Sequence, residues 1–432
     1  MSKALVIIDN ADANSRPGAE DMPAGYKLTE VGVIPEDWNA GPIASIADIY
    51  SGATPSTQNP ANWNGSIRWC VPTDITSGTT KYLAETSRSI TQKGLQGSGA
   101  TLLPLGALLL CSRATIGEVK IAAKSLCTNQ GFKSLVCKHD AYNEFLYYLL
   151  LTLKPRLKEK ATGSTFLEIG KKDLASIQIA LPSYPEQRAI AEALSDVDKL
   201  LESLDALIAK KRAIKQAAMQ QLLTGQTRLP GYNEKWRTIR LGDLGQWRGG
   251  LTPLTTESRY WYGGTVPWMT SSDVRQGKLN DSSENITEQA IEETSIPVIR
   301  PNSVIIVIRS GILRRFLPVA RNLIPIAINQ DLRALEPGPL HRPQFLVHAL
   351  MGFERSLLRF CLKSGTTVES IDSTWFLGFK LPIPTLNEQQ AIATVLSDMD
   401  AEITALEQRR DKTRVIKQGM MQQLLTGRVR LV

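Results

Sequence analysis

Apolar residues at Ile190, Leu194, Val197, Leu201, Leu204 and Ile208 follow a 4-3-4-3-4 spacing. That period lays one narrow apolar stripe along a helix and suits a partner helix. Ile392, Leu396, Met399, Ile403 and Leu406 repeat it, until Arg410 turns the register polar. The repetition is wider than the stripe. Glu186–Leu229 and Glu388–Leu431 match without a gap at 24 of 44 positions, at an offset of 202 residues. Identity is densest at the ends, from Glu186-Gln187 and Glu388-Gln389 to Met219–Gly225 and Met421–Gly427. A repeat this long sets the architecture before any local assignment. Pro185 sits where a missing N–H costs little, and Thr224-Gly225 and Thr426-Gly427 end each copy with the residue that tolerates a left-handed cap. The pattern predicts a helix over residues 185–223, roughly 58 Å long at 1.5 Å per residue. Gly419 would weaken the second copy by roughly 1 kcal/mol. Ordinary core packing also produces such a stripe, but two copies able to pair with each other favour a coiled coil.

The period changes between the helices. From Tyr26 to Ser183 run short strand-like stretches, such as 101–110 and 176–181, broken by Gly, Pro, Ser and Thr, with one packing helix over 141–153. Residues 230–384 form a second such block whose landmarks answer the first. Trp38 and Trp236 precede Ile46–Ile49 and Leu241–Leu244. Thr54-Pro55 answers Thr252-Pro253, Trp63–Trp69 answers Trp261–Trp268, and Asp74 answers Asp273. Asn129-Gln130 answers Asn329-Gln330, Gly163-Ser164-Thr165 answers Gly365-Thr366-Thr367, and Pro182 answers Pro384. The residues between these landmarks differ. The expected organisation is an N-terminal extension (1–25), a first mixed α/β block (26–184), a central spacer helix (185–226), a second block (227–386) and a distal spacer helix (387–432). The fold class is α+β. Two similar helices related by a pseudo-twofold axis run antiparallel, so their stripes can zip together and hold two unlike blocks apart.

At 432 residues the chain exceeds one ordinary core, and 42% hydrophobic with 21% charged residues is a globular composition. A net charge of +8 permits a polyanionic partner without requiring one. Cys70, Cys111, Cys127, Cys137 and Cys361 include no C-x-x-C pair, which suggests reduced thiols and a cytoplasmic location. The five-residue apolar run Ala4–Ile8 is too short for a signal peptide, and no stretch approaches the ~20 apolar residues of a membrane span.

Catalytic constellations are hard to find. His139, His341 and His348 are scattered, no His/Cys cluster has zinc spacing, and no metal site is expected. Gly94–Gly99 is glycine-rich but matches no phosphate-binding fingerprint and reads as a surface loop. Glu118-Val119-Lys120 mimics part of a nuclease site with Asp74 as its distant partner, but the second block has no counterpart. Recognition residues fit better. Base edges are read by Arg, Asn, Gln, Ser and Thr on loops. Thr54, Arg68, Thr73, Ser112, Arg113 and Gln130 offer this chemistry in the first block, and Thr252, Ser272, Arg309, Ser310 and Gln330 in the second. Each is also readable as turn chemistry or solvated surface. Lys171, Lys172, Lys133, Arg275, Arg314, Arg315 and Arg359 are candidates for phosphates, which give affinity without sequence information. Trp69 and Trp268 read as core. On the helices, Lys210, Lys211, Arg212 and Lys215, matched by Arg409, Arg410, Lys412, Arg414 and Lys417, line either solvent or DNA. Glu186, Gln187, Gln220, Gln221, Glu388, Gln389, Gln422 and Gln423 are candidate partner-docking residues, because packing alone does not demand polar identity. Two equivalent surfaces imply two copies of a partner.

The Glu-Gln opening with its Ile-Ala, the Gln-Gln-Leu-Leu-Thr-Gly ending with a trailing Arg, the loop Gly52–Ser56 and the motif Thr128–Phe132 resemble the specificity subunit of type I restriction–modification systems. The resemblance covers roughly residues 26–432. It implies that each block is a target recognition domain reading one half of a split double-stranded DNA site. It also implies that the helices are spacer and docking surface for two methyltransferase (modification) subunits, with restriction/translocase subunits joining the complex. S-adenosylmethionine, ATP and Mg²⁺ are then expected on partner subunits, and the chain itself is expected to be non-catalytic with no cofactor. The second block departs from the pattern at Leu251–Leu254 and Asn329–Leu332. Two other readings stand beside this one. A self-contained methyltransferase or nuclease requires a cofactor motif, and an adaptor for protein or RNA predicts weak, salt-insensitive duplex binding.

Overall fold

The computed structural model describes residues 23–163, 167–274, 277–363 and 368–431. Most of the N-terminal extension, Arg275 and most of the Gly-Ser-Thr and Gly-Thr-Thr landmarks lie outside them. The chain divides into two units, residues 1–203 with 409–432 and residues 204–408. The two long helices span Tyr184–Leu222 and Leu386–Leu424, 39 residues each. Each unit therefore contains the N-terminal half of one long helix and the C-terminal half of the other. Gly225 and Gly427 follow the helix ends at φ +73° and +72°, as left-handed caps require. Gly419 does not interrupt the second helix.

Both units are mixed α+β bodies with the same topology. The first has a five-stranded sheet in the order Ala47–Ser51, Lys133–Cys137, Leu108–Leu110, Val119–Ala122, Tyr82–Leu83. The second repeats it as Gly245–Gly249, Leu332–Pro337, Val304–Val307, Val319–Asn322, Gly277–Leu279. A three-stranded sheet accompanies each: Trp63–Cys70 lies between Cys127–Thr128 and Arg88–Ile90, and Val266–Met269 lies between Ala327–Ile328 and Glu284–Ile286. The expected packing helix spans Asn143–Thr152 and has a counterpart at Pro343–Gly352. Of the run 101–110, only Leu108–Leu110 is strand. Gly94 is not on a surface loop: it lies in the short helix Gln92–Gln96, its α-carbon against the Asn62 backbone.

Of the helix stripe, Ile190, Leu194, Leu204, Ile208, Ile392, Leu396 and Ile403 are buried, and Val197, Leu201, Met399 and Leu406 are half-buried. In the first unit Ile190 and Leu194 share a core with Trp38, Phe145, Tyr148, Leu424 and Leu425. In the second, Ile392 and Leu396 share one with Phe345, Leu350, Met219, Leu222 and Leu223. Ion pairs fix the antiparallel direction. Asp198 meets Lys417 at 2.6 Å in the first unit, and Asp400 meets Lys215 at 2.5 Å in the second. Adding 202 to Asp198 and subtracting it from Lys417 turns one pair into the other, so each unit builds the same pairing once. Lys211–Glu402 at 2.6 Å and Arg212–Glu407 extend the second set. Much of the helices' basic charge thus serves helix pairing.

The polar identity at the helix starts has an internal cause. Glu186 is 1% exposed and Glu388 0%. Arg430 donates to Glu186 from Nε at 2.5 Å and Nη2 at 2.8 Å, and the Trp38 indole donates to it at 2.9 Å. Arg228 donates to Glu388 at 2.5 and 2.7 Å, and Trp236 does so at 2.9 Å. The guanidinium of Arg430 also grips Asp37 and holds its carboxyl below the usual carboxylate range. Gln187 accepts from the Tyr142 N–H and donates to the carbonyls of Asp140 and Pro182. Gln389 does the same with Arg342, Leu340 and Pro384. These four residues close each helix onto its own unit and offer no free polar group to a partner, so the docking expectation for them is corrected. Gln220, Gln221, Gln422 and Gln423 are exposed.

Candidate nucleic-acid interface

Each unit carries one loop pinned to one motif. Gly52 lies against the Thr128 and Asn129 carbonyls so closely that a Cβ would fall 1.9 Å from the Asn129 oxygen. A Cβ on Gly250 would fall 2.0 Å from the Ile328 oxygen. Glycine is therefore required at both places for the Thr-Pro loop to reach the Asn-Gln motif. The Ala53 N–H donates to the Thr128 carbonyl and the Leu251 N–H to that of Ile328, both at 3.0 Å. Beyond the contact the prolines turn inward, with Pro55 and Pro253 buried.

On this scaffold the predicted polar residues come together in pairs. Thr54 donates its hydroxyl to Gln130 Oε1, and Thr252 donates to Gln330 Oε1 at 2.5 Å. Both glutamines are exposed. The threonine fixes the amide's direction and leaves its NH₂ free to donate, with a second lone pair on the oxygen to accept, the pairing adenine N6 and N7 require. Thr73 and Ser272 stand exposed one residue before Asp74 and Asp273. The two aspartates are structural. Asp74 accepts from the Val71 and Ser87 N–H groups, and Asp273 from those of Thr270 and Ser283. Burial pushes the Asp273 carboxyl up, but the Thr270 and Ser283 hydrogen bonds outweigh it and hold the group low.

Other candidates fall elsewhere. Ser112 is wholly buried and cannot face a base. Its carbonyl accepts from Ile169 as that of Ile308 does from Ile371. Arg113 therefore corresponds to Arg309, and Ser112 to Ile308. Arg113 is held by Glu168 at 2.5 Å, and Lys133, buried, reaches the same carboxylate at 2.8 Å. Burial raises the Glu168 carboxyl, yet Lys133 and Arg113 outweigh it and hold it low. Lys133 is thus no phosphate ligand. Arg309 stands exposed, 3.9 Å from Asp331. Ser310 caps the turn at Ile312. Arg68 is bonded to Glu85 at 3.0 and 3.2 Å, and Arg314 to Glu369. Lys171, Lys172, Arg315 and Arg359 are exposed. The nuclease mimic dissolves: Glu118 pairs with Lys154, while Lys120 is buried and donates to the Ser77 carbonyl at 3.3 Å. Trp69 and Trp268 are core, 2% and 5% exposed.

Each unit is thus a mixed-sheet body that presents one paired Thr and Gln on matching loops. The family model described as the type I restriction modification DNA specificity domain matches twice, over residues 35–210 and 233–415. The chain belongs to this family: it is a DNA-specificity subunit of a type I restriction–modification system, the non-catalytic member that reads sequence. It is 30% identical over 365 residues to the type I restriction enzyme MjaIX specificity subunit of Methanocaldococcus jannaschii, covering 79% of this chain and 82% of that one. It is 31% identical over 260 residues to the EcoR124I/EcoR124II specificity subunit of Escherichia coli, covering 60% and 63%. The fold is that of the type I S subunit from M. genitalium, with TM-score 0.55 and 18% identity over 92% of this chain and 97% of that one. Among the described residues no helix is long and apolar enough to cross a membrane.

Proposed function

We propose that each unit reads one half of a split duplex site and that the chain docks two methyltransferase subunits, to which restriction subunits join. The observation that carries this is the pair of matching Thr–Gln contacts: one scaffold, built twice, presents different neighbouring side chains in the two units. The readers are centred on Thr54, Thr73 and Gln130 in the first unit and on Thr252, Ser272 and Gln330 in the second. Arg113 and Arg309 flank them, and Lys171 and Lys172 are available for phosphate. Gln220, Gln221, Gln422 and Gln423, exposed and repeated, are the docking residues that remain. S-adenosylmethionine, ATP and Mg²⁺ belong to the partner subunits. The half-sites lie about one helical turn apart, roughly 34–36 Å. Genome-wide mapping of methylated bases in a cell expressing the chain with its methyltransferase partner tests this reading. It should return one motif made of two specified halves around an unspecified spacer; a single continuous motif would refute it.

A further inference from the structure

The Thr-Pro loops of the two units share their backbone anchors and differ in side-chain chemistry. The Ala53 carbonyl accepts from the Trp69 indole at 2.9 Å, and the Ser56 carbonyl from the Trp63 indole at 3.1 Å. In the second unit Leu251 accepts from Trp268 at 3.0 Å and Leu254 from Trp261 at 3.1 Å. The edge-to-face contact between the two indoles is also repeated, at 4.9 and 5.0 Å. These anchors place Leu251 where Ala53 stands and Leu254 where Ser56 stands. Tyr262, next to Trp261, answers Asn64, next to Trp63. A small and polar rim in one unit is thus a large and apolar rim in the other.

All three side chains face solvent: Leu251 is 44% exposed, Leu254 67% and Tyr262 90%. The loop cannot simply fold them inward. Pro253 is buried between the two leucines, Leu251 is hydrogen-bonded through its N–H, and Gly250 is wedged against backbone carbonyls. Leu251 sits immediately before Thr252, whose hydroxyl orients Gln330. A Gln amide with an apolar side chain beside it complements a base-pair edge that carries adenine N6 and N7 together with a methyl. In the major groove only an A·T pair presents this, the methyl being the thymine C5-methyl.

We propose that Leu251, Leu254 and Tyr262 make the second unit a reader of thymine methyl groups, whereas the first unit reads its half-site without them. The inference rests on the reading that each unit binds one half-site. The full chain is first used to select its split site from random duplexes. Each thymine is then replaced in turn by deoxyuridine, which lacks only the methyl. Loss of a contacted methyl should weaken binding about 4-fold, the effect of one buried methylene-sized group, and only in the second half-site. The triple variant Leu251→Ser, Leu254→Ser, Tyr262→Asn, which gives the loop the first unit's character, should lose that sensitivity while keeping its dependence on the first half-site. Tyr262→Asn alone, at the most exposed position, guards against misfolding of the triple variant and should lose part of the sensitivity. Indifference to deoxyuridine throughout, equal sensitivity in both half-sites, or sensitivity that persists in both variants would overturn the inference while leaving split-site reading intact. If the full chain selects no split duplex, the half-site reading fails and this inference with it.

Discussion

Replacing Arg228 by Met tests what holds the helix start to the second unit. The change strands the Glu388 carboxylate, which is 0% exposed, with only the Trp236 indole still donating to it. Breaking a buried ion pair from one side costs about 3–5 kcal/mol, because the remaining charge stays desolvated. The Arg228 side chain is 25% exposed, so water can enter and the lower end, about 3 kcal/mol, is expected. Glu388→Gln removes the charge but keeps an acceptor for the indole, so it should cost only about 1–2 kcal/mol. The double variant Arg228→Met, Glu388→Gln should then be more stable than Arg228→Met alone. The assay is urea unfolding followed by amide hydrogen exchange, since a chain of two units need not unfold in one step and exchange reports each unit separately. A loss below about 1 kcal/mol for Arg228→Met, or a double variant whose cost is the sum of the singles, would refute the stranded-charge argument.

Three further outcomes follow from the geometry. Gly250→Ala forces a Cβ against the Ile328 carbonyl; it should cost about 1–3 kcal/mol and weaken selection at the second half-site while the first is kept, as read by duplex selection. Burial pushes the His348 imidazole down to about 4, so it is neutral in the folded chain above that pH and charges near 6.5 when unfolded. Its stabilising contribution is complete above 6.5 and is lost as pH falls from 6.5 towards 4, by at most about 3 kcal/mol. Urea melts of His348→Gln across that range should show a flatter pH dependence than the parent, and an unchanged slope would refute the assignment. Removing one heptad within Ile190–Ile208, with its partner segment shortened to match, should change the tolerated spacer without altering either half-site.

The helices were legible because their period is dictated by a single buried stripe, and Ile190, Leu194, Ile392 and Leu396 are buried as it requires. The repeated Glu-Gln was visible, but its cause was not. Polar identity follows equally from a partner surface and from an internal latch, and the two differ only in what lies opposite. Arg228 and Arg430, repeated with the same offset, and Trp38 and Trp236, already landmarks, were the signal for the latch. The Thr54–Gln130 and Thr252–Gln330 pairs were named residue by residue, though nothing in the spacing said that they touch. Ser112 was named for its chemistry alone, and successive residues of an extended segment point to opposite faces, so Ser112 lies in the core beside a half-exposed Arg113. Leu251 and Leu254 were noticed only as a departure, since an exposed leucine is ordinary until the backbone around it is known to be fixed.

Exchange of residues 26–183 for the corresponding block of another specificity subunit tests the two-reader claim most directly. Methylated-base mapping with the exchanged chain should show a new sequence in one half of the motif, the other half unchanged and the spacer kept. A change in both halves would contradict it.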